Sequence, residues 1–442
     1  MSDRALELLK PLIEDLIGGS TFTFEAANNV EENTDNKYSK TIRLNNINYV
    51  CSVSRIKLRP IHMEKRLFEH TLACFEILYN SITKDKHKYI REALTFSAID
   101  LGIVNYIKKI TSRPDKGEEW LKGQMWPIQN LLYALKKLSF ERYEGEPATT
   151  GFYIHRKKNL NILEPQIKAN KNLDKFNFVL EKLKEPTTVN DHFFHGPLSY
   201  RYIDGTSGLY CANVQMNVES ILRVEIAPGL DAIDKLNNYP FQAILDEFDD
   251  NSFQANLNRN SEIEISVSFM RRLIWRKGRW SIFNMNLFKH FIPEFSNENL
   301  STLCKAVYAL SKIRHGTLIL LPKNEPYDTV ERIKKGSIAD SHKLSEELIN
   351  SCKNKSIDTL KKDGLLIRML NSDGLTVLDS EGKLVDTGLI IGTSEIPKDI
   401  KKIGGGRTVA AIAASMFGKV IKVSEDGPID FFLDGQSIYR FG

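Results

Sequence analysis

The run Thr317-Leu318-Ile319-Leu320-Leu321 limits the choice of fold more than any other stretch of this chain. It is closed off by His315-Gly316 before it and Pro322 after it. A membrane helix needs about 20 apolar residues, so the run is too short to span. It also lacks the polar alternation of a strand with one wet face. A short continuous run of this kind fits a strand buried on both faces, which requires helices on either side of a sheet. The surrounding text supplies them. Leu303, Ala306, Val307 and Leu310 precede the run at helical spacing, and further helical text spans about Ser341 to Cys352. Asp373-Gly374 opens a strand at Leu375 to Leu378, and the Ser380-Glu381-Gly382 turn leads to a second strand, Lys383 to Ile391, interrupted at Gly388. Gly404-Gly405-Gly406 then precedes a helix from Arg407 to Phe417, stopped at Gly418. Strands at Lys419 to Val423 and Ile429 to Leu433 flank Ser424-Glu425-Asp426-Gly427. The expectation is an α/β C-terminal domain over 296–442, with a mixed sheet flanked by helices.

The chain has 442 residues, which suits two or three domains. The first two thirds read as an N-terminal α+β regulatory region, α-rich over 1–145 and β-rich over 146–295. Leu6, Leu9, Leu12, Ile13 and Leu16 mark an amphipathic helix ending at Gly18-Gly19, and helical periodicity runs from His62 to about Ile110 and from Pro127 to Leu138. Gly151 to His155, Gly208 to Asn217 and Glu262 to Phe269 alternate as strands, with Lys168 to Thr188 between them expected to be helical. Arg272 to Ile282 reads as a hairpin about Arg276-Lys277-Gly278. Acidic residues within the first helix exclude a secretory signal, and no stretch is apolar enough to span a membrane, so a cytoplasmic location is expected. Cys51, Cys74, Cys211, Cys304 and Cys352 are odd in number and lack metal-ligand spacing, which suits reduced structural thiols. The net charge of +5, from 61 basic and 56 acidic residues, permits a nucleotide partner but does not mark a dedicated nucleic-acid binder.

The glycines before the Arg407 helix carry the clearest chemical signal. Gly405 and Gly406 let the backbone approach a ligand, and a helix N-terminus offers N–H groups to an anion. Arg407 and Thr408 in its first turn can bind phosphate, the guanidinium bidentately. The bland alternative is a flexible connection with a surface arginine. No Lys-Ser or Lys-Thr follows at Walker spacing, so a P-loop is excluded. Asp373 and Glu425 stand at strand ends beside glycine, where loops build sites, although Asp-Gly is also an ordinary turn. Transfer of an adenylyl group needs a divalent metal, and oxygen ligands suit Mg²⁺ or Mn²⁺.

The order of these pieces is more specific than any one of them. His315-Gly316-Thr317-Leu318-Ile319, then Asp373-Gly374-Leu375, then Gly405-Gly406-Arg407-Thr408-Val409-Ala410-Ala411, then Ser424-Glu425-Asp426-Gly427 resembles the diadenylate cyclase domain family. That family joins two ATP molecules into cyclic di-AMP. The resemblance covers about a third of the chain. It implies that Asp373 binds metal and assists the attacking 3'-hydroxyl, with Glu425 as its catalytic and metal-binding companion. It implies a nucleotide contact at Gly374, Leu375, Gly405, Gly406, Arg407, Thr408 and Ser424. Thr408 and Val409 depart from the family's Arg-His-Arg motif, and Leu375 replaces a small alanine. The resemblance also implies a homo-oligomer in which two cyclase domains face each other, each supplying one ATP. A nucleotide-binding sensor that keeps the fold without the chemistry is the second reading.

Three other features carry less. His192 and His195 have ligand-like spacing but suit a partly buried loop. Arg271, Arg272, Trp275, Arg276, Lys277, Arg279 and Trp280 make a basic, aromatic hairpin. It reads as a solvated edge strand with its tryptophans inward, or as a base-stacking surface. Asp204-Gly205 reads as a turn.

Overall fold

The computed structural model describes residues 2–26, 37–55, 57–58, 61–81, 88–110, 125–155, 163–174, 176–192, 206–225, 231–247, 252–268, 271–335, 343–392 and 405–442. The chain divides into two compact units. The first comprises Met1–Ser54, Pro60–Leu230 and Asn238–Phe283, and the second Arg55–Arg59, Asp231–Asn237 and Asn284–Gly442. Both are mixed α/β, with mixed sheets and helices. No described helix is long and apolar enough to cross a membrane.

The first unit opens with α1 (Ser2–Leu16) and a three-stranded antiparallel sheet of β1 (Thr21–Ala26), β2 (Lys37–Leu44) and β3 (Ile47–Ser54), with β3 in the middle. Helices α2 (His62–Ser81), α3 (Lys88–Ile110) and α4 (Met125–Leu138) follow. Gly102 of α3 lets the first two helices meet closely, since a Cβ there would stand 2.5 Å from Thr71 Oγ1. After the small hairpin of β4 (Arg142–Tyr143) and β5 (Glu146–Pro147) comes β6 (Thr150–His155), then α5 (Leu163–Ala169), β7 (Asn177–Thr188), β8 (Thr206–Asn213) and β9 (Asn217–Glu225). Helix α6 (Ala232–Leu236) belongs to the second unit. Helix α7 (Tyr239–Glu247) and strands β10 (Ser252–Leu257), β11 (Ile263–Ser268), β12 (Arg271–Arg276) and β13 (Arg279–Asn284) complete the first. The eight strands run β13-β12-β11-β10-β6-β8-β9-β7, with β6 and β8 parallel. Tyr153, Leu209, Phe178 and Leu222 of this sheet share a core with Leu163 and Ile167 of α5 and Phe241 and Ile244 of α7.

Two sequence expectations need correction here. Lys168 to Thr188 is not helical beyond Ala169, because Asn177–Thr188 is the edge strand β7, paired with β9. Its Glu and Lys residues read as helix formers, but long-range pairing overrides that preference, and an edge strand tolerates charge. The Arg272 to Ile282 hairpin forms, and Trp275 and Trp280 are buried as expected. Arg272 and Arg276, however, are not solvated. Both are buried, and they pair with Glu264 at 2.6 Å and with Glu262. His195, Asp204, Gly205 and Gly404 lie outside the described residues, as does the side chain of His192.

In the second unit α8 (Met285–Phe291) and α9 (Asn297–Lys312) lead into β14 (Thr317–Pro322), then α10 (Pro326–Lys335), α11 (Lys343–Cys352), α12 (Ile357–Lys362) and α13 (Leu366–Leu370). Strands β15 (Leu375–Leu378) and β16 (Leu384–Leu389), helix α14 (Gly406–Ala414) and strands β17 (Gly418–Val423), β18 (Ile429–Leu433) and β19 (Gln436–Phe441) finish it. Strand order is β16-β15-β14-β17-β18-β19, with β14 and β15 parallel and β14 and β17 antiparallel. The apolar run Leu318 to Leu321 is buried throughout. On one face Leu318, Leu320, Val377, Val420 and Phe432 meet Val330 and Ile333 of α10 and Ala411 and Ile412 of α14. Elsewhere Phe431 packs against Phe288 and Phe291 of α8, with ring centroids 4.8 and 4.5 Å away. The sequence reading missed α8, α10, α12, α13 and β19. The charged text of α10 hides a narrow apolar stripe, Val330 and Ile333, that only the sheet reveals.

Candidate functional site

Registers place three turns at one end of the central strands. Leu318 pairs with Leu375 and Thr317 with Val423, so Gly316, Gly374 and Ser424 stand side by side where β14 and β15 begin and β17 ends. These are the amino ends of the parallel pair, not the carboxyl ends that usually carry ligands in open α/β sheets. Helix α14 explains the reversal. It leads straight into β17, which runs antiparallel to β14, so its N-terminus lies at this end. The helix is capped by the backbone of Gly405 without any side-chain hydrogen bond. Among the described residues, a side chain at Gly405 or Gly406 would meet nothing within 4 Å.

Arg407 joins the turns. Its Nη1 donates to Glu425 Oε1 at 2.5 Å, and its Nη2 lies 3.9 Å from Asp373 Oδ1. The guanidinium rests on Gly316, where an added Cβ would come within 3.0 Å of Cζ, Nε and Nη1. Asp373 is fully exposed, Glu425 is largely so, and Arg407 is about a third exposed (36 %). One cation thus faces two carboxylates in contact with solvent. Thr408 is half-buried, and its N–H donates back to the Gly405 carbonyl. Ser424 is half-buried, with its N–H bonded to the Pro428 carbonyl at 2.8 Å. Leu375 is fully buried in the strand, so its side chain belongs to the core and only its backbone lies at the site's edge.

The turns are fixed from below. Gly374 has φ +115°, and a Cβ there would stand 2.7 Å from the Leu389 carbonyl oxygen, so both its conformation and its floor require glycine. Beside it a cluster of hydroxyls gathers on one carbonyl. Thr387 Oγ1 donates to Met369 O at 2.8 Å and lies 2.5 Å from Ser372 Oγ and 2.8 Å from Thr376 Oγ1. Thr317 Oγ1 donates to the next carbonyl, that of Leu370. The turn bearing Glu425 is held by Ser311 of α9, whose hydroxyl donates to the Gly427 carbonyl. The sequence reading missed these supports. A single threonine in each of three strands was the available sign, but these gain meaning only from the register.

No protein-family profile and no curated protein matches this chain. Solved structures do. DacA from Staphylococcus aureus, crystallised as a double cysteine mutant, is 24% identical over 33% of this chain and 87% of its own, with a TM-score of 0.24. A hypothetical membrane-spanning protein from Bacillus cereus is 19% identical over 36% of this chain and 70% of its own, with a TM-score of 0.26. They record a distant structural likeness over about a third of the chain, and no residue's role rests on them.

Among the described residues no group of three or more His, Cys, Asp or Glu side chains is placed to hold a metal ion. Asp373 and Glu425 supply carboxylate oxygens, the donor type that suits Mg²⁺ or Mn²⁺. Such an ion commonly takes one or two carboxylates and completes its shell with phosphate oxygens and water, and the exposed Asp373 leaves room for both.

Proposed function

We propose that the second unit is a nucleotidyltransferase of diadenylate cyclase type, condensing two ATP into cyclic di-AMP under control of the region upstream. The observation that carries this reading is the meeting of Asp373, Arg407 and Glu425. They come from three separate segments, beside a helix N-terminus that no side chain caps and the two glycines that lead into it. Such an arrangement presents a forked cation and backbone N–H groups to phosphate, with carboxylates positioned for a metal beside it.

In this mechanism the 3'-oxygen of one ATP attacks the α-phosphorus of the other. The bond to pyrophosphate breaks, the hydroxyl proton leaves to solvent, and a second such step closes the ring. A bound Mg²⁺ or Mn²⁺ would offset triphosphate charge and make the 3'-hydroxyl more acidic. Asp373 and Glu425 would be the carboxylates to hold such an ion. Arg407 exchanges part of its pairing with Glu425 for phosphate oxygens, and Glu425 orients the guanidinium. Each copy of the second unit supplies one nucleotide, so two copies must face each other.

Purified protein incubated with ATP and Mn²⁺ or Mg²⁺ is expected to yield cyclic di-AMP by mass spectrometry. Asp373→Asn should lower the yield by about 10²–10³-fold, the scale of losing a key electrostatic group. Arg407→Gln should weaken ATP binding about 10- to 150-fold, from roughly 1.5–3 kcal/mol per charge-assisted bond. Wild-type protein that binds ATP but makes no dinucleotide would support the second reading, a nucleotide sensor. That reading is favoured by Thr408 and Val409, which bring no second cation to the helix N-terminus.

A further inference from the structure

Asp373 and Glu425 already share a cation. Arg407 Nη1 lies 2.5 Å from Glu425 Oε1, and Nη2 lies 3.9 Å from Asp373 Oδ1. Charge alone holds such an exposed pair weakly, since a long side chain loses rotamer freedom to keep it. Shape adds what charge lacks. An added Cβ at Gly316 would come within 3.0 Å of Cζ, Nε and Nη1, so the guanidinium lies on bare backbone there. Register brings that backbone to the site, because Thr317 pairs with Val423 and sets Gly316 beside Ser424, one residue short of Glu425. Gly316 also differs from Gly374. Its backbone is not left-handed, so the conformation does not call for glycine and the space above it does.

A guanidinium in this seat and a divalent ion compete for the same carboxylates. An ion bound to Asp373 or Glu425 while Arg407 stayed in place would lie beside a like charge, which even in water opposes it by on the order of tenfold in affinity. Phosphate offers the guanidinium a bidentate partner, so a nucleotide is what can draw the arginine off its seat.

We propose that Gly316 is a positioning residue that seats Arg407 across Asp373 and Glu425, and that the seated arginine keeps a divalent ion off these carboxylates in the nucleotide-free protein. The inference rests on the reading of Asp373 and Glu425 as the metal carboxylates and adds a control over when they become available.

The test titrates full-length protein with MnCl₂ at low ionic strength, without nucleotide, and follows free Mn²⁺ by electron paramagnetic resonance. Arg407→Gln is expected to bind Mn²⁺ about tenfold more tightly than wild type or better, and adding Asp373→Asn should remove the gain. Gly316→Val keeps every charge and fills the seat, so it should raise Mn²⁺ affinity about threefold or more. A merely structural glycine would lower the melting temperature on substitution and leave Mn²⁺ affinity where it was. Should Gly316→Val fail to fold, Gly316→Ala takes its place, since a single Cβ already meets the guanidinium. Equal Mn²⁺ affinity in wild type and Arg407→Gln, or a folded Gly316 variant with wild-type affinity, overturns the proposal while leaving the nucleotidyltransferase reading to the cyclic di-AMP assay. A gain that survives Asp373→Asn overturns it as well, because the ion then binds elsewhere. If no form binds Mn²⁺ even with ATP present, the metal assignment of Asp373 and Glu425 falls together with the proposal.

Discussion

Arginine meets carboxylate in both units, to opposite ends. In the first unit Arg272 and Glu264 are both buried, in adjacent strands. In the second Arg407 bridges Glu425 and Asp373 at a rim open to water. A buried pair is shut off from water, and removing one member leaves a desolvated charge. An exposed pair contributes little to stability, and its groups can be lent to a ligand. The same two side-chain types thus serve architecture in one place and stand open to water in the other.

The contrast is sharpened first by Glu264→Gln, expected to destabilise the first unit by about 3–5 kcal/mol in urea unfolding. A loss under about 1 kcal/mol would mean that the Arg272 pairing is dispensable and would break the comparison. Next comes Gly374→Ala, which places a Cβ against Leu389 O and demands a φ unfavourable to alanine. It should cost about 1–3 kcal/mol and remove nucleotide-dependent activity, because the turn carrying Asp373 must move. A smaller effect is acid sensitivity in the first unit. His70 is held at about 4 against an ordinary 6.5, so between those values the unfolded chain binds more proton than the folded one. Its contribution is complete above about pH 6.5 and lost as pH falls through about 4. His70→Gln should flatten that part of the stability profile, and solvent screening at a partly exposed ring keeps the effect modest. Smallest of all, Glu425→Gln should change unfolding free energy by less than about 1 kcal/mol while altering ATP affinity.

The mixed sheet of the second unit was legible because its grammar is local. An apolar run bounded by breakers, two Asp-Gly turns and a glycine-led helix each state their own conformation. That Asp373, Arg407 and Glu425 approach one another followed only from the order of motifs, and register then supplied the contacts. What escaped depended on distant partners. β7 reads as helix until β9 pairs with it, and Arg272 and Arg276 read as solvated until Glu264 and Glu262 are found beside them. The hydroxyls of Thr317, Thr376 and Thr387 look like ordinary strand residues until they converge on the carbonyls before Asp373.

Those hydroxyls, with the Ser311 bond to Gly427, tie the turns of the site to main-chain carbonyls. A carbonyl is supplied by every residue type. The accepting residues can therefore change identity without loosening the turns, so long as the hydroxyls of Ser311, Thr317, Thr376 and Thr387 remain to donate.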